Sequence, residues 1–129
     1  IPHAAWIASH LEIPMIYVRS KPKGHGKGNQ IEGKIEKGQT VVVIEDLIST
    51  GGSSLETAKV LKEEGMEVLG VLAIFTYGLK IATERFTAEN VPFDTITSFD
   101  SLLEVLLEDK EITEADKIRL QTWRNELSS

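Results

Sequence analysis

The chain has no cysteine, which excludes disulfides and thiolate metal sites and agrees with a reducing, cytoplasmic setting. Long apolar runs are missing too: Val41 to Ile44 and Val71 to Phe75 fall far short of the ~20 residues that span a bilayer. No membrane partner is therefore expected. Positive charge is in short supply, with 14 Lys and Arg against 20 Asp and Glu and a net charge of −6. Such a surface has no general attraction for nucleic acid, so a polyanionic ligand has to be held by local features. The chain also lacks an initiator Met: Ile1-Pro2-His3 runs straight into the helical pattern Ala4-Ala5-Trp6-Ile7-Ala8. It reads as part of a longer chain whose N-terminal portion is missing, and not as a signal peptide or a natural start.

What is present suits one domain, since 129 residues with 41% hydrophobic side chains support one core and hardly two. A helix is expected over about 3–11, ended by Ile13-Pro14, and a short buried strand over Met15 to Arg19. From Ser20 to Gln39 lysines alternate with glycines. That composition yields no stable core and predicts a mobile, functional loop over about 20–39, with a hairpin arm around Gly33 between Gln30 and Glu36. Thr40 to Ile44 is a β-branched run typical of a strand buried on both faces, and Glu45-Asp46 is expected to end it. Ser53 and Glu56 have capping-box spacing at the start of a helix whose inner face is Leu55, Ala58 and Leu61.

Further strands are expected over Val68 to Phe75 and Asp94 to Phe99. Helices are expected over about 80–90, over Ser101 to Glu108, and after Thr113, the last carrying Ile118 and Trp123 inward. This alternation predicts an α/β fold with a doubly wound, mostly parallel sheet and flanking helices, incomplete at the N-terminus. Trp6 and Trp123 read as packing residues, and His3 and His10 as structural or surface residues.

In open α/β sheets the ligand lies beyond the carboxyl ends of the strands. After Ile44 stands Glu45-Asp46-Leu47-Ile48-Ser49-Thr50-Gly51-Gly52-Ser53. Two adjacent carboxylates can address a sugar diol or, through water, a divalent cation. Two glycines and three hydroxyls at a helix start can cradle a phosphate with backbone N–H groups. Each piece alone has a plainer reading: a solvated strand end, a tight turn, an N-cap. Their conjunction points to a ribose phosphate. No Gly-Lys-Ser/Thr is present for a Walker A loop, and Gly24-x-Gly26-x-Gly28 lacks dinucleotide-fingerprint spacing.

The segment Val41-Val-Val-Ile-Glu-Asp-Leu-Ile-Ser-Thr-Gly-Gly-Ser53 resembles the signature of type I phosphoribosyltransferases for 5-phosphoribosyl 1-pyrophosphate (PRPP). Within that superfamily, Arg19-Ser-Lys-Pro-Lys-Gly-His-Gly-Lys-Gly28 is similar to the mobile catalytic loop of orotate phosphoribosyltransferases. The resemblance implies transfer of phosphoribosyl from PRPP to orotate with Mg²⁺ in pyrimidine biosynthesis. It implies that Glu45 and Asp46 contact the ribose hydroxyls, with Mg²⁺ reached by Asp46 indirectly, through PRPP and water. Leu47, Ile48, Ser49, Thr50, Gly51, Gly52 and Ser53 would wrap the 5-phosphate, Ser49 also approaching orotate. Arg19, Lys23 and His25 would reach the pyrophosphate across the interface of a homodimer with shared active sites, Lys23, His25 and Asp46 serving catalysis.

Two departures stand out: Ser20 follows Arg19 where many relatives have Lys, and Tyr77-Gly78-Leu79-Lys80 offers no match to the orotate-binding Arg some of them carry. Rival readings are a purine or uracil phosphoribosyltransferase, and a PRPP-sensing regulator that has lost catalysis. A sensor has no need of Lys23 and His25, and the chain carries no basic face for DNA.

Overall fold

The computed structural model describes residues 1–21 and 30–127. Lys23, His25 and the middle of the Ser20–Gln39 loop lie outside the described residues. Helix α1 (Pro2–Leu11) starts on Pro, where the missing N–H has no intrahelical partner to lose, and stops at Glu12 in the left-handed conformation. The next strand, β1 (Tyr17–Val18), is shorter than Met15 to Arg19, and Tyr17 is exposed rather than buried. It pairs antiparallel with β2 (Ile31–Glu32), so residues 30–36 do not fold on themselves around Gly33. Ile31 enters the main core, which corrects the expectation that nothing in the loop would do so.

Strands β3 (Thr40–Ile48), β4 (Glu67–Thr76) and β5 (Phe93–Ser98) form a parallel sheet in that order. The connections are α2 (Gly52–Glu63) and α3 (Lys80–Ala88). Ala58 and Leu61 of α2 and Ala82 and Phe86 of α3 pack with Val43, Ile48, Val71 and Ala73 of the sheet. Burying Leu61 or Phe86 fully contributes about 2–3 kcal/mol each. Strand β3 runs on through Glu45 and Asp46, because Leu47 and Ile48 still pair with Phe75 and Thr76. A charged side chain does not end a strand whose backbone keeps its partners.

Adjacent residues of a strand point to opposite faces. Glu45 meets Ser54 of α2, whereas α1 packs on β3 with His3 on the side of Asp46; helices therefore flank both faces, as in a doubly wound sheet. The α1 face is only partly covered. Val42, Leu72, Ile74 and Ile96 are exposed, so β3 is not buried on both faces as its sequence suggests. The described helix on that side, α1, packs on β3 and leaves the middle of the sheet open.

Ser98, expected within the last strand, also caps α4 (Phe99–Glu108), its Oγ accepting from Ser101 N–H, so Phe99 is the first helical residue and is buried. Helix α5 (Glu114–Glu126) starts with the expected Thr113–Asp116 capping box. Its buried residue is Arg124, 8% exposed, while Ile118 at 60% faces outward, against expectation; Trp123 is half exposed, yet its ring packs on Tyr77 and Phe99. Trp6 is exposed too, although its ring meets His3 edge-on. The Ser53–Glu56 box does not form: α2 is capped by Gly51, with no side-chain bond.

Candidate functional site

At the carboxyl end of β3 the Glu45 carboxylate turns back toward α2, accepting a hydrogen bond from Ser54 Oγ at 3.1 Å and one from Asp46 N–H at 3.2 Å. Ser54 is buried, a polar core residue that sequence reasoning missed. Its only signal is that it follows Ser53 in the first turn of α2, where either hydroxyl could face the strand. Burial pushes the Glu45 carboxyl above the usual glutamate range, with the hydrogen bond to Asp46 and its charge adding and Ser54 opposing. Asp46 is held below the aspartate range, chiefly by the hydrogen bond from Glu45. The pair thus divides its roles: Asp46 keeps a negative charge in solvent, and Glu45 holds a proton more readily.

After Ile48 the chain turns through exposed Ser49 and Thr50 to Gly51, whose φ of +85° is open to glycine at little cost. Helix α2 starts there, and its first N–H groups have no intrahelical acceptor. With no side-chain cap on Gly51, those donors and the positive end of the helix dipole face the turn, an arrangement suited to an anion. Ile48 itself is buried in the core, so only its backbone is available, and its carbonyl accepts from Tyr77 N–H at 3.2 Å. Leu47 is exposed. Glu45, Asp46 and the 47–53 turn thus lie together at the carboxyl end of β3.

Arg19 is not joined to that group. Its Nε donates to Glu32 at 2.8 Å, and its backbone N–H to the Gln30 carbonyl at 2.7 Å, along the β1–β2 ribbon. Lys23 and His25 lie outside the described residues. Among the described residues no three His, Asp or Glu side chains are grouped to hold a metal ion.

The other residue missed by sequence is Arg124. Its guanidinium makes a two-pronged bond to Asp100 at 2.9 and 3.0 Å, lies over the Phe99 ring, and donates to the Tyr77 carbonyl at 2.9 Å. It thereby fixes the turn after β4, beside the ligand end of the sheet. An Arg on a polar helix reads as solvated, so no sequence signal marks it.

Parallel strands, a carboxylate pair near the carboxyl end of β3 and a glycine turn without a side-chain cap at a helix start define an α/β domain with a site suited to an anionic ligand. The phosphoribosyl transferase domain family matches residues 1–100, and the chain belongs to it. It is 58% identical, over 100% of its length, to the orotate phosphoribosyltransferase of Bacillus pumilus. The chain covers 61% of that relative, and so spans about three-fifths of the curated protein it matches. A solved structure of Leishmania donovani UMP synthase superposes with a TM-score of 0.77 at 26% identity, over 96% of this chain and 26% of that one. The orotate phosphoribosyltransferase of Aeropyrum pernix superposes with a TM-score of 0.72 at 35% identity, over 81% of this chain and 58% of that one. No helix among the described residues is long and apolar enough to cross a membrane.

Proposed function

We propose that the protein containing this chain transfers phosphoribosyl from PRPP to orotate, giving orotidine 5′-monophosphate and pyrophosphate, and that residues 1–129 form its single PRPP-binding catalytic domain. The observation that carries the reading is the continuous path from the Glu45–Asp46 pair to the uncapped α2 start at Gly51, a diol-binding group followed by a phosphate-binding one. High identity to orotate phosphoribosyltransferases supports orotate as the base.

In this reading Glu45 and Asp46 hold the ribose hydroxyls and the turn from Leu47 to Ser53 holds the 5-phosphate, with Ile48 taking part through its backbone alone and Ser49 also facing orotate. Breaking the bond from the anomeric carbon to pyrophosphate develops positive charge on the sugar and negative charge on the leaving group. Arg19 and Lys23 would stabilise the latter, which requires Arg19 to exchange Glu32 for the pyrophosphate, and His25 would hydrogen-bond or protonate it as it leaves. Asp46, exposed and kept ionised, fits a Mg²⁺ ion that arrives on PRPP and is held through water. Mg²⁺ so bound neutralises leaving-group charge. The protein would act in the cytoplasm as a homodimer with shared sites, with no nucleic-acid or membrane partner.

The test is an assay of the full-length protein with orotate, uracil and purine bases in the presence of PRPP and Mg²⁺. Orotidine 5′-monophosphate is the expected product. Turnover of uracil or a purine without turnover of orotate would reject the reading.

A further inference from the structure

We propose that Arg85, on α3, is a binding residue for the 5-phosphate of PRPP, supplying the fixed positive charge that the 47–53 turn lacks; the inference rests on the site reading above. Two consecutive residues of α3 meet two consecutive glycines of the turn. Phe86 is buried, and its ring lies against Gly51, so the last turn of α3 is anchored beneath the start of α2. That anchoring sets Arg85 beside Gly52: a Cβ built on Gly52 would stand 3.6 Å from Arg85 Nη1 and 3.7 Å from Thr50 Oγ1.

Gly52 needs neither a positive φ nor relief from crowding, since both distances are ordinary contacts. What the missing side chain leaves is an open lane with the guanidinium and the Thr50 hydroxyl on its sides and the α2 N-terminus beside it. Gly52 and Arg85 also line a shallow groove of about 300 Å³ between α2 and α3, whose cationic residues are Lys59 and Arg85 and whose anionic ones are Glu56 and Glu89.

The charge balance favours a ligand there. A phosphate monoester carries close to two negative charges, and helix dipole and hydroxyls offer only partial ones. Glu45, Asp46 and Glu56 stand close by in a chain of net charge −6, so a dianion requires a nearby cation. Arg85 is exposed and its side chain has no hydrogen bond or ion pair among the described residues, which leaves its guanidinium donors free for a two-pronged bond to phosphate oxygens. A plainer role, a cation complementing the C-terminal dipole of α3, would account for its place in the helix and not for its approach to Gly52.

Calorimetry on the full-length protein separates these roles. Wild type, R85A and R85K are titrated with ribose 5-phosphate, which carries the phosphate in question, and with pyrophosphate and Mg²⁺, which does not. R85A is expected to weaken ribose 5-phosphate by about tenfold or more, to leave pyrophosphate within about twofold, and to be partly rescued in R85K. Because Arg85 is exposed, R85A should melt as wild type does. Unchanged ribose 5-phosphate affinity in R85A, or equal weakening of both ligands, overturns the assignment while leaving the site reading intact. Failure of the wild-type protein to bind ribose 5-phosphate or PRPP at all overturns the site reading, and this assignment with it.

Discussion

The ring edge of Phe86 lies 2.8 Å from the point where a Cβ on Gly51 would sit. Gly51 is thus required twice, by its φ of +85° and by a core aromatic with nowhere to retreat, since Phe86 also stacks on Phe93 at a centroid distance of 4.4 Å. Left-handed backbone and overpacking each cost about 1–3 kcal/mol. Gly51→Ala should therefore lower stability by roughly 2–4 kcal/mol and abolish PRPP binding, whereas Gly52→Ala should shift stability by less than about 1 kcal/mol. Thermal denaturation of the two variants side by side checks this; equal melting temperatures would contradict the packing.

Arg124 ties α5 to α4 and to the turn after β4. Removing its side chain breaks charge-assisted bonds to Asp100 and leaves the Tyr77 carbonyl without that donor, a loss of about 2 kcal/mol. Asp100 is held below the ordinary aspartate range by this partner. Its contribution is therefore present above the unfolded-state value and disappears as pH falls through the lower folded one. Arg124→Ala should be clearly less stable than wild type at pH 7, and the gap should narrow below about pH 4. A gap that does not change with pH would assign the stabilisation to packing alone.

Glu45 has the opposite sign. Burial raises its folded pKa, so ionising it opposes folding, and this cost grows as pH rises through the folded value. Glu45→Gln keeps an oxygen for the Ser54 hydroxyl and removes the charge. It should match wild type at pH 4, be equally or more stable at pH 8, and bind PRPP less well because a ribose contact is lost. Denaturant titrations at the two pH values, with calorimetry at the higher, read both effects; destabilisation confined to pH 8 would refute the burial argument.

For the proposed shared site, Lys23→Ala should lower kcat about a hundredfold or more, with the KM for PRPP changed only a few fold, because its charge is needed where pyrophosphate charge develops. Asp46→Asn should weaken PRPP and Mg²⁺ binding without unfolding, as Asp46 is exposed. Mixing the two inactive full-length variants should restore part of the activity by assembling one intact site. No recovery after demonstrated subunit exchange would argue against sharing.

The parts of the fold that were legible in the sequence are those where one local signal decides. The β-branched run at Val41 to Ile44, the Thr113–Asp116 box and the Gly51-Gly52 pair each have a short-range cause, and each appears in the structure. The elements read wrongly depend on what lies across the chain. Ser53 resembles a cap until Gly51 takes that place, and Arg124 resembles a solvated helix residue until its guanidinium meets Asp100 and Tyr77. Ser54 and Arg85 belong to the same class, polar residues on helices whose meaning comes only from the neighbour they face.

The tether from Arg124 has a mechanical consequence. Two hydrogen bonds in series, Arg124 to the Tyr77 carbonyl at 2.9 Å and Tyr77 N–H to the Ile48 carbonyl at 3.2 Å, connect α5 to the residue just before the phosphate turn. Helix α5 lies beyond the residues matched by the family, so the turn is braced partly from outside the matched segment. A chain cut after residue 112 would keep every side chain from Glu45 to Ser53 and lose the brace that holds the start of that turn still.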